Sequence, residues 1–244
     1  MNRTTFTILG LITLGLLSWG LHEALVVAPT EQTMGNIQRI FYYHFPSAMT
    51  AFILFFANFL ASIVYLVRRN APGGAKGADA IAVSTAEVGL VYCTVVLVTG
   101  PLWARPVWGI WWTWDARLTL TLVLWLMYVS YLILRRYSSG EQTATIAAAL
   151  AIFAFLDVPI NYMAIRWWRT QHPSPVMAGG QGSGLDPAMW KAVWINWLAF
   201  SVFAFLVCWI RYKLERVRQE LEECEAKRAV DSKQQVRMSP QEVR

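Results

Sequence analysis

Apolar residues along this chain gather into six runs separated by short polar segments. They extend from Phe6 to Ala28, Ser47 to Val67, Ala80 to Trp103, Leu118 to Leu134, Ala144 to Ile165 and Met189 to Ile210. Crossing about 30 Å of hydrocarbon takes roughly 20 helical residues, so each run is a candidate span. A backbone in lipid must satisfy its own polar groups, and the pattern therefore predicts an all-α, polytopic membrane protein built as a six-helix bundle. The first run is longer than the apolar core of about 7–15 residues found in secretory signals, and is read as a retained helix. Pro46 predicts a helix start after an extended residue, which leaves His44 just before the second helix. Pro159, in the stretch DVPIN, predicts a kink in the fifth, with Asp157 helping to satisfy the freed backbone.

Charge gives the bundle a direction. Arg3, then Arg68, Arg69 and Lys76, then Arg135 and Arg136, then the tail from Arg211 all fall on one side of the zigzag. Short cytoplasmic loops are rich in Lys and Arg, so both termini are expected in the cytoplasm. The bias is moderate, because Arg39, Arg105, Arg117, Arg166 and Arg169 fall on the other side. At 56% hydrophobic and 15% charged over 244 residues, the chain is too apolar for an ordinary soluble domain. The net charge of +6 resides in loops and tail, where it reports topology, and no nucleic-acid partner is expected. Cys93, Cys208 and Cys224 show no CxxC, CxxCH or zinc spacing, which disfavours thiol redox work and a structural metal.

Three units follow from this pattern. Residues 1–210 make the membrane unit. Residues 211–229 read as a charged helical extension, in which Leu214, Val217, Leu221 and Cys224 recur at spacings of three and four, as on a docking helix or a solvated one. Residues 230–244 are polar and aperiodic, and disorder is expected there.

Between Gly100 and Thr121 the sequence reads GPLWARPVWGIWWTWDARLTLT, which holds five of the thirteen tryptophans: Trp103, Trp108, Trp111, Trp112 and Trp114. An indole offers a broad flat face and one N–H donor, so such a cluster suits a large, flat, mostly apolar partner; the alternative is the aromatic belt at the lipid headgroups. All three histidines, His22, His44 and His172, fall at or near the same face. His44 and His172 come from separate loops flanking the tryptophans, an arrangement suited to holding an iron porphyrin through two imidazoles. A histidine at the headgroup level also serves simply as a hydrogen-bonding group, the preferred reading of His22. Asp115 reads as the N-cap of the fourth helix, and Arg117 as facing either lipid phosphate or a ligand carboxylate. Glu87 and Asp157 are ionisable residues inside apolar runs, where charge is costly, and are expected to face the bundle interior.

WGIWWTWDARLT, from Trp108 to Thr119, resembles the signature of the haem-handling WWD proteins of cytochrome c maturation, and within them the haem exporter protein C family, CcmC. RIFYYHFPSA, from Arg39 to Ala48, and WWRTQH, from Trp167 to His172, agree with it in the same order. The resemblance implies haem b as the bound or transported group, with His44 and His172 as axial ligands to its iron. It implies that Trp108, Trp112, Trp114 and Asp115 hold the porphyrin. Trp111 and Arg117 from the same stretch, and secondarily Arg39, Arg105, Trp167 and Trp168, complete the candidate contacts. It further implies the cytoplasmic (inner) membrane with these loops facing the periplasm, and partners CcmA, CcmB, CcmD and the haem chaperone CcmE. The expected role is a transfer scaffold, not an enzyme. The alternatives are a bundle that itself conducts haem across the bilayer, supported only by Glu87 and Asp157, and a haem lyase, which the short chain disfavours.

Overall fold

The computed structural model describes residues 2–71, 74–138, 142–173, 177 and 185–238. Its helices are α1 (Arg3–His22), α2 (Phe41–Arg68), α3 (Lys76–Trp108), α4 (Ala116–Tyr137), α5 (Thr143–Phe155), α6 (Asp157–Trp167) and α7 (Pro187–Met238). With α5 and α6 taken as one span, six stretches are long and apolar enough to cross a membrane, and no strand forms among the described residues. The fold is the all-α six-span bundle that the apolar pattern predicts.

Several boundaries differ from the expected ones, each for a local reason. The second helix begins at Phe41, not Ser47, because a tight turn over Asn36–Ile40 feeds directly into it. His44 is thus inside α2, and Pro46 sits in the helix; lacking an N–H, it leaves the Tyr42 carbonyl without its helical donor. The third helix absorbs Pro101 and Pro106 and runs on to Trp108, where Gly109 takes the left-handed conformation (φ 77°) and closes the end on the Arg105 carbonyl at 3.0 Å. The fifth span breaks at Leu156, as Pro159 requires: it cannot donate to the Phe155 carbonyl. Finally, α7 continues past Val230, where disorder was expected, to Met238. The segment AKRAVDSKQQ lacks apolar periodicity but is rich in good helix formers. Residues 239–244 of the expected tail lie outside the described residues.

Polar staples and close approaches hold the bundle. Gly89 lets α3 approach α2 so closely that a Cβ there would lie 2.7 Å from Phe55. Phe55 in turn stacks on Tyr128 of α4 at 3.8 Å between centroids. Asn58, fully buried, donates to the Ala82 carbonyl at 2.8 Å and accepts from the Tyr128 hydroxyl at 3.2 Å, so three helices share one satisfied amide. On the other flank Asn196 of α7 donates to the Gly20 carbonyl of α1 at 3.0 Å. Glu87 is half-buried, not turned wholly inward, and Arg211 grips it through two bonds of 2.6 and 2.7 Å. At the basic end Arg135 bridges Asp79 at 2.8 Å and Glu215 at 3.5 Å, tying α4 to α3 and α7. These bonds leave the opposite ends of α2, α3 and α4 to shape a cavity.

Candidate functional site

At the tryptophan-rich end the first turns of α2 and α4, the last turns of α3 and the connections between spans enclose a cavity with two lobes. A narrow inner lobe of about 80 Å³ runs between α2, α3 and α4 as deep as Cys93 and Leu124. A wide outer lobe of about 980 Å³ lies between the α1–α2 connection, α2, α6 and the start of α7. His44, Phe52, Trp103, Arg117 and His172 line both. Small-molecule sites span roughly 300–1,000 Å³, so the outer lobe takes a large ligand.

The two histidines that the sequence singles out meet at this cavity, and their hydrogen bonds fix which nitrogen carries the proton. The Thr99 hydroxyl donates to the Val95 carbonyl at 2.6 Å, so it accepts from His44 Nδ1–H at 2.8 Å. His172 Nδ1 lies 2.9 Å from the Pro173 carbonyl, which can only accept. Both rings therefore carry hydrogen on Nδ1 and keep a lone pair on Nε2. This is the state of a metal-ligating imidazole whose other nitrogen is held by a supporting acceptor. Burial, and then the Arg117 guanidinium, push the pKa of His172 down to about 4, so the ring stays neutral through the ordinary pH range.

Asp115 does not line the cavity; it ties together the loops that do. One oxygen caps α4, accepting from Leu118 N–H at 3.0 Å, as the N-cap reading anticipates. The other accepts from the hydroxyls of Thr113 (3.2 Å) and Thr170 (2.8 Å) and from Gln171 N–H (3.2 Å). Thr170 Oγ1 then accepts from His172 N–H at 3.0 Å. A chain of three residues thus runs from the tryptophan loop to the second histidine. Burial works to raise the pKa of Asp115, but the donors of Leu118, Thr170, Gln171 and Thr113 outweigh it, and the carboxyl sits below its ordinary 3.8. Arg117 projects into the cavity and donates to the Asn161 carbonyl of α6 at 2.8 Å. Asn161 returns a bond to Thr121 at 3.0 Å, which fixes the wall behind the guanidinium.

Among the tryptophans, Trp108 and Trp112 line the inner lobe. Trp103 lines both lobes and stands edge-on to His44 at 6.1 Å between centroids. The indole N–H groups of Trp103 and Trp112 are buried without an acceptor. Trp114 packs edge-on against Trp112 at 5.7 Å but is 75% exposed, and Trp111 is 56% exposed; neither lines a lobe. Trp167 and Trp168 are likewise exposed and outside the lining. Arg39 is used within its own connection, donating to the Ala24 carbonyl at 2.5 Å and to Thr30 and Asn36. Arg105 caps the end of α3 through the Gly109 carbonyl. Asp157 is buried but lines neither lobe, and its Oδ2 has no partner. Sequence reasoning missed Thr99 and Thr170. Thr99 gives no local signal; Thr170 sits two residues before His172, a spacing at which a hydroxyl commonly binds the following backbone.

The chain matches the family model described as Heme exporter protein C over residues 1–227. It belongs to that family. Relatives named "Heme exporter protein C" include one from Haemophilus influenzae, 33% identical over 221 residues, covering 89% of this chain and 85% of the relative. Another, from Bradyrhizobium diazoefficiens, is 34% identical over 208 residues, covering 84% and 74%. A "putative cytochrome c biosynthesis ccmC-like mitochondrial protein" of Marchantia polymorpha is 27% identical over 191 residues, covering 78% of each. Membership of the family supports a role in haem handling for cytochrome c maturation.

Proposed function

We propose that this protein binds haem b at the outer, periplasmic face of the cytoplasmic membrane and presents it to a CcmE-like chaperone, working beside CcmA-, CcmB- and CcmD-like subunits. The observation that carries the proposal is the matched state of His44 and His172: each commits Nδ1–H to a protein oxygen and keeps Nε2 free at one shared cavity. Ligation from both would saturate the iron and suppress oxygen chemistry while the group is held. Arg117 provides donors for the propionates, and the indoles of Trp103, Trp108 and Trp112 supply an apolar shelf. In this orientation the basic end and both termini lie in the cytoplasm.

The function is a surface scaffold, with no acid, base or nucleophile asked to act on the cargo. Glu87, paired to Arg211, and Asp157, outside both lobes, give a conducting route through the bundle little to stand on. Sealed vesicles containing only this protein, with a haem-binding reporter trapped inside, should take up no more haem than protein-free vesicles. Uptake that depends on the protein would replace the scaffold with a transporter.

A further inference from the structure

The outer lobe changes chemical character from one end to the other. Toward the inner lobe the wall is cationic, carrying the Arg117 guanidinium beside Trp103. Away from it, residues 29–34, Gln38 and the start of α7 form the wall; here the charged groups of the lining are carboxylates, and the Arg39 guanidinium behind them is taken up by Ala24, Thr30 and Asn36. Gln38 is 3% exposed; its amide donates to Met189 Sδ at 3.6 Å, and its Oε1 has no partner. Glu31 and Asp186 line the same end. Glu31 Oε2 accepts from the N–H groups of Thr33, at 2.8 Å, and Met34, and Asp186 Oδ1 from that of Ala188 at 2.8 Å. Among the described residues the other oxygen of each carboxylate has no partner.

A porphyrin that carries two carboxylates fits the cationic end and is repelled by the acceptor end. Something of opposite charge belongs there. Four of the protein's eight methionines, Met34, Met49, Met177 and Met189, line this lobe. Unbranched thioether side chains repack around whatever enters, as on surfaces that accept polypeptides. Lysine and arginine combine a cationic head with an apolar stem, and the lobe offers a place for each part.

Building on the haem site proposed above, we infer that the acceptor end of the outer lobe is the docking site for a lysine- or arginine-bearing segment of the polypeptide that takes haem from this protein. The cationic head meets Asp186, Glu31 and the Gln38 carbonyl oxygen, and the stem lies among the methionines. Docking there brings the acceptor chain alongside the cargo while His44 and His172 still hold it.

The test uses the full chain, haem-loaded, in phosphatidylcholine nanodiscs. Two fluorescent peptides serve as probes, acetyl-Gly-Lys-Gly-Leu-Lys-Gly-amide and its counterpart with glutamate at both lysine positions. Anisotropy should show saturable binding of the lysine peptide and none of the glutamate peptide. Replacing Gln38→Leu and Asp186→Asn together should weaken the lysine peptide about tenfold, the loss expected for a charge-assisted hydrogen bond, while the Soret band stays. Equal binding of the two peptides, or undiminished binding to a double variant that keeps its haem, overturns the inference. So does displacement of the lysine peptide by phosphatidylethanolamine in the nanodisc, which would make the lobe a headgroup site. If the double variant fails to fold, the comparison of the two peptides on the unaltered protein still decides. The haem reading fails separately, by absence of a Soret band from unaltered protein that still prefers the lysine peptide.

Discussion

Purified protein carrying both His44→Ala and His172→Ala will show no Soret band, whereas His22→Ala will keep most of it. His22 is exposed near the end of α1 and lines neither lobe, so its loss removes nothing from the cavity. The double variant removes both free Nε2 atoms and leaves no imidazole in the indole-lined space, only the Cys93 thiol deep in the inner lobe and the methionines of the outer one. Each single variant should keep a weakened, spectrally altered band, because one imidazole and the apolar walls remain. The measurement is the absorption spectrum of detergent-purified protein after saturation with haem. Full retention by the double variant would mean that the tryptophans or another ligand carry binding.

Asp115→Ala should come next in size, although this residue touches no ligand. It removes the cap of α4, worth about 0.5–2 kcal/mol, and with it the bonds from Thr113, Thr170 and Gln171 that anchor the stretch leading to His172. Loss of a partner that bonds a metal ligand directly costs roughly 10–100-fold in affinity; Asp115 acts one bond further out, through Thr170 and the His172 N–H, so haem titration should show a weakening toward the lower end of that range with the helices intact by circular dichroism. Asp115→Asn keeps a single acceptor oxygen, enough for the cap but not for the Thr170 and Gln171 donors as well, and should lose less. The pH dependence carries the sign of a depressed carboxylate. Its contribution to stability is fully present above the unfolded pKa of about 3.9 and is lost as pH falls through the lower folded value. The stability difference between the native protein and Asp115→Ala should therefore be constant above about pH 4 and shrink below it. A variant that binds haem as the parent does would reduce Asp115 to an ordinary cap.

The fold was legible because lipid imposes one strong rule, and six long apolar runs obey it. Of the residues that the motifs single out, His44, Trp108, Trp112, Arg117 and His172 line one cavity. What stayed hidden was long-range. Thr99 sits in the middle of an apolar helix, and nothing near it in sequence tells that it faces His44, 55 residues away. Pro46 hid the true start of α2, because a proline there reads as a helix opening, while the turn over Asn36–Ile40 had already nucleated one. Arg39 was drawn toward the cavity by its charge, yet its reach is consumed by neighbours within its own connection. Arg105 was readable after all: a basic residue in the last turn before a glycine is a common helix finish.

Thr99 and Pro173 hold the two imidazoles through protein atoms alone. On the haem-scaffold reading proposed above, departure of a cargo would leave both rings with their anchoring bonds, and a cleft built this way would need no rebuilding of its grip before the next round.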